Sequence, residues 1–112
     1  AKAIGESIPS GVGDPEWQIW LAAFDQAPYD SDVKAVLEWS ARRFKATLAS
    51  VIQAGADAGE FTVRSATETA TITAAALDGL AIECVAGVPG TTPSRVRALV
   101  LGLLKRELGL PA

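Results

Sequence analysis

From Asp32 to Ala54 the chain runs without a proline or a glycine, and this stretch constrains the fold more than any other. Its apolar residues recur every three to four positions, which predicts one long helix over about residues 32–58. Val33, Val36, Leu37, Phe44, Leu48, Val51 and Ile52 share one side, interrupted by Ser40 and Thr47. Trp39 falls ~200° around from Leu37 at ~100° per residue, so an aromatic ring stands on a second side. A helix apolar on two sides is expected to be central, packed between two neighbours.

Punctuation on either side of this element divides the rest of the chain. Asp14, Pro15 and Glu16 make a helix start: a side-chain cap, a proline at the first helical position and an acid near the positive helix end. A helix over about 15–27 follows, with Trp17, Trp20, Leu21 and Phe24 on one stripe, and Pro28 ends it. Asp30 or Ser31 caps the long helix. That helix closes at Asp57-Ala58-Gly59-Glu60-Phe61, where Gly59 suits a left-handed end and Phe61 can fold back on the last turn. The Gly55/Gly59 spacing belongs to this ending.

A third helix, Ala66 to Val88, is built largely of Ala and Thr before Leu77-Asp78-Gly79-Leu80-Ala81, and it breaks at Gly87, Pro89 and Gly90. Thr92 and Pro93 start a last helix, on which Val96, Leu99, Val100, Leu103, Leu104 and Leu108 make a broad apolar face. Residues 1–13, with three glycines and Pro9, read as a connector carrying the end of an earlier helix, and residues 14–112 as the domain. No strand alternation occurs, so the fold class is all-α, an antiparallel helical bundle.

Apolar residues make up 49% of the chain and the formal net charge is −3. A nucleic-acid surface needs clustered Lys and Arg, so this chain is not expected to bind DNA unaided. Arg42-Arg43 and Lys105-Arg106 read as solvated helix faces. Cys84 is alone, which rules out an intrachain disulfide and leaves the cytoplasm as the expected compartment. No apolar run reaches the ~18 residues that a membrane span needs, so no membrane partner is expected.

There is no histidine. The commonest general base and metal ligand are therefore missing, and no catalytic centre, metal or cofactor is implied. Asp78 and Glu83 are unusual for lying in an apolar helix, where they face solvent, bond across a helix pair or reach into a cavity. Cys84 reads as a small buried apolar residue. Trp17, Trp20, Leu21 and Phe24, with Trp39 and Phe44, suit either a core or a ligand pocket, to which Ser40, Arg43 or Thr47 could add a polar contact.

Four helices cannot cover all these apolar faces. A second copy would, if the last two helices joined their symmetry mates in a dimeric four-helix bundle. The residues expected at that interface are Ala70, Ala74, Leu77, Ala81, Val96, Leu99, Val100, Leu103 and Leu104.

Pro15-Glu16-Trp17 with Trp20-Leu21, then Val36-Leu37 with Trp39, Arg42-Arg43 and Gly59-Glu60-Phe61 form an ordered set. Ala76 to Ala81 and the Leu104 to Leu110 ending complete it. In this order the chain resembles the C-terminal domain of a tetracycline-repressor-like (TetR-family) transcriptional regulator, from about residue 9 onward. The resemblance implies a homodimer that binds a small, hydrophobic effector between its first helices and dimerises through its last two. It also implies DNA binding through an N-terminal helix-turn-helix domain, which is missing before Ala1. A free-standing helical dimer that binds a hydrophobic molecule or a protein is the alternative that the same faces allow.

Overall fold

The computed structural model describes residues 2–111. Ala1 and Ala112, the outer ends of the expected connector and domain, lie outside the described residues. Five helices follow in order: α1 (Lys2–Ser7), α2 (Pro15–Gln26), α3 (Ser31–Asp57), α4 (Ala66–Ala86) and α5 (Pro93–Glu107). No strand occurs among the described residues, in agreement with the all-α expectation.

Side-chain caps set the helix starts. Asp14, Asp30, Ser65 and Thr92 accept backbone N–H bonds from the first turns of α2, α3, α4 and α5, relieving donors that have no partner within the helix. The end of α4 comes earlier than its composition suggests. Gly87 adopts φ 79°, and the N–H of Val88 turns back to the carbonyl of Glu83 at 3.0 Å, so Val88 lies beyond the helix rather than in it.

The end of α3 follows the expected pattern, with Gly59 at φ 76° and the ring of Phe61 lying directly over Gly55. A Cβ at Gly55 would collide with that ring. Gly55→Ala should therefore cost about 1–3 kcal/mol by displacing Phe61, even though alanine is the better helix former. Urea unfolding of the two proteins measures the difference.

The central helix is α4, not α3. It packs against α2, α3 and α5, whereas α3 meets only α2 and α4 extensively. Small side chains explain this: Ala66, Thr69, Ala70, Thr73, Ala74 and Ala81 are buried with Leu77, Cys84 and Val85, and let neighbouring helices approach on several sides. Thr73 meets its polar requirement within the helix, donating its hydroxyl to the Thr69 carbonyl at 2.7 Å. On α3 only Leu48, Ile52 and Gly55 are buried. Trp39 does not make a second buried face, being 60% exposed with the Arg43 guanidinium 5.3 Å from its ring centre.

The main core gathers Leu48 and Ile52 of α3, Ala70, Leu77 and Cys84 of α4, and Val96 and Val100 of α5. Ile4 of α1 joins it at 1% exposure, so the segment expected as a connector is packed into the domain. A smaller cluster seats Trp17 on Ala81 and Val85. Helix Ala66–Ala86 is long and apolar enough to cross a membrane by length and composition, contrary to the expectation that no stretch qualifies. Packing against α2, α3 and α5 buries 44% of that apolar stretch.

Candidate functional site

Between α2, α3 and α4 lies a cavity of about 280 Å³. Its aromatic wall begins at Asp14, whose carboxylate accepts from the Ser10 N–H at 2.7 Å, the Ser10 hydroxyl at 3.0 Å, and the N–H groups of Glu16 and Trp17 at 2.9 and 3.3 Å. These bonds, that from the Ser10 backbone foremost, hold its carboxyl below the usual aspartate value. They also fix the first turn of α2. From that turn the Trp17 indole N–H donates to the carbonyl of Ser7 at 3.1 Å, tying the cavity wall to the end of α1.

Trp20 and Phe24 continue the wall at spacings of three and four. Leu37, Ser40, Ala41, Phe44 and Lys45 of α3 face them, Ala74, Leu77 and Asp78 of α4 form the floor, and Glu6, Ser7 and Glu16 stand at one side. Four aromatic rings with a few polar groups make a surface suited to an apolar molecule with a polar handle.

Asp78 is the unusual member. Burial pushes its carboxyl above the ordinary value of 3.8, and the positive charge of Lys45 offsets only part of that effect. Lys45 and Asp78 both line the cavity, yet they form no direct ion pair among the described residues. An acid with a raised folded pKa costs stability wherever it is ionised in the folded state. That cost is present above the folded pKa, shrinks as the pH falls through it, and disappears once the pH falls below the unfolded value, where both states are protonated. Asp78→Asn should therefore melt at a higher temperature than the parent near neutrality, and the two melting curves should converge in acid.

Of the residues expected in a pocket, Trp17, Trp20, Phe24, Ser40 and Phe44 line the cavity. The other four lie elsewhere. Leu21 packs beside the Trp17 cluster, Trp39 and Arg43 pair on the outer surface, and Thr47 is exposed. Asp78 carried a sequence signal, a charge in an apolar helix. Lys45 and Glu6 carried none, because their place depends on how α3 and α1 lie against α4.

The residues expected at a dimer interface divide in the same way. Ala70, Ala74, Leu77, Ala81, Val96 and Val100 are buried within the protomer, so this chain's own helices already cover them and they are unavailable to a second copy. Leu103 and Leu104 are half-buried, with Leu104 against the main core. Leu99 is exposed at 36%. The apolar stripe that does stand free on α4 runs through Ile72, Ala75, Gly79 and Ile82, with the two isoleucines 48% and 38% exposed. Those positions follow helical spacing but lie opposite the buried face.

Helices around an aromatic cavity, with an apolar stripe of α4 left uncovered, define a small all-α domain. A family model described as the C-terminal domain of BetI-type transcriptional repressors matches residues 1–109, and the chain belongs to that family. It is thus a C-terminal domain of a TetR-type transcription regulator, as the ordered sequence features implied. Searches of curated proteins and of solved structures gave no match.

Proposed function

We propose that this chain is the effector-binding and dimerisation domain of a cytoplasmic repressor, and that it acts by binding, without catalysis. A small, largely apolar effector occupies the cavity beside Trp17, Trp20, Phe24 and Phe44. DNA is contacted only through an N-terminal domain. The observation that carries this reading is the cavity itself, set between three helices in a member of a repressor family.

Surface area supports the dimer. The isolated chain exposes 7064 Å², against roughly 5,800 Å² for a compact monomer of this mass. Its radius of gyration is 14.8 Å, where about 13 Å is usual for a chain near this length. An excess of about 1,200 Å² is comparable with the ~800 Å² that each partner buries in a standard interface. The interface is assigned to Ile72, Ala75, Gly79 and Ile82 of α4 with Leu99, Gly102 and Leu103 of α5.

Effector binding then controls DNA affinity through its preference for one arrangement of the dimer. A preference of about 1.4 kcal/mol changes that affinity tenfold, and the coupling is reciprocal. Native mass spectrometry of the purified protein tests the reading. A dimer mass, with a retained small molecule or with one restored on titration, is expected. A monomer at tens of micromolar in solution would contradict the dimer.

A further inference from the structure

We propose that Asp78 sets the ligand specificity of the cavity, selecting molecules that carry a protonated amine on an apolar body over their neutral and carboxylate counterparts. This rests on the effector-binding reading above. The charges around the cavity are unequal: Asp78 and the ammonium of Lys45 line its interior, while Glu6 and Glu16 stand at its solvent-exposed side. Four aromatic rings complete the wall, and ring faces attract cations while offering apolar contact.

Lys45 and Asp78 also differ in freedom. Lysine has a long stem and can withdraw its charge toward water. Aspartate cannot: its carboxylate sits one carbon from the α4 backbone, beside the buried Ala74 and Leu77. A ligand ammonium would give this carboxylate the direct partner that no described residue supplies, through a charge-assisted hydrogen bond. A ligand carboxylate would meet it as a like charge.

Three probes with one apolar body separate the contributions: phenylbutylamine, phenylbutanol and phenylbutyrate, titrated calorimetrically into the intact chain near neutral pH. The amine should bind at least about tenfold tighter than the carboxylate, with the alcohol between them, and Asp78→Asn should remove about tenfold of that preference. The variant is expected to fold, and its melting curve checks this. Saturable binding with no amine preference, or a preference unchanged in Asp78→Asn, overturns the assignment of Asp78 and leaves the cavity reading standing. Failure of all three probes to bind overturns the cavity reading and this assignment together.

Discussion

Ile82→Glu combined with Leu99→Glu is expected to leave a folded chain that no longer dimerises. Both side chains are exposed in the protomer, so a glutamate at either position remains in water while the chain is alone. In the assembled interface the same carboxylates would be buried without partners, at about 3–5 kcal/mol each, which weakens association by at least a hundredfold. Light scattering should report a monomer, and circular dichroism should report an unchanged helical content. Val100→Glu is the control. Val100 is fully buried inside the protomer, and an unpaired charge there removes much of the ~5–15 kcal/mol that holds a domain of this kind together. A folded monomer from Val100→Glu would show that the interior and the interface have been exchanged in this assignment.

Trp17→Ala is expected to destabilise the domain by about 3–5 kcal/mol, the cost of emptying a large buried aromatic site. Three structural connections are lost at once: the contact with Ala81 and Val85, one wall of the cavity, and the indole hydrogen bond to Ser7. Trp20 lines the same cavity but is only half-buried. Trp20→Ala should therefore lower ligand affinity with a smaller loss of stability. Trp17→Phe isolates the polar part, because it keeps an aromatic ring and removes one hydrogen bond, worth about 1 kcal/mol. Denaturant midpoints for the three variants, set beside their affinities for a cavity probe, test this order. Equal losses of stability at Trp17 and Trp20 would make both ordinary core residues.

The pocket and the interface were legible to different degrees. Trp17, Trp20, Phe24 and Phe44 were recognisable because helical spacing groups them on shared stripes, although Phe24 at the cavity edge stays 46% exposed. Trp39 satisfied the same arithmetic for a second face and proved to be on the outside, paired with Arg43. Periodicity says which residues share a face but not which face meets a neighbour. On α4 this ambiguity was greatest. Ala70, Ala74, Leu77 and Ala81 form one apolar stripe and Ile72, Ala75, Gly79 and Ile82 another, and nothing in their spacing says which turns toward α3 and α5.

By itself the sequence determined the order of α2 to α5 and most of their boundaries, although it missed the Ser65 cap and ran α4 past its end at Ala86. Asp14, Pro15, Gly59, Gly87, Thr92 and Pro93 act through backbone geometry and local hydrogen bonds, and these need no distant partner. The resemblance to the repressor family rested on a different ordered set, from Pro15-Glu16-Trp17 through Gly59-Glu60-Phe61 to the Leu104–Leu110 ending. Only the tertiary structure decided that α4 is central, that α1 is packed into the core, that Lys45 and Asp78 face one cavity, and that Ile72 and Ile82 stand free. Each of those outcomes depends on the rotation of one helix against another. That rotation is settled by the packing of the whole set of side chains, not by the spacing within one helix.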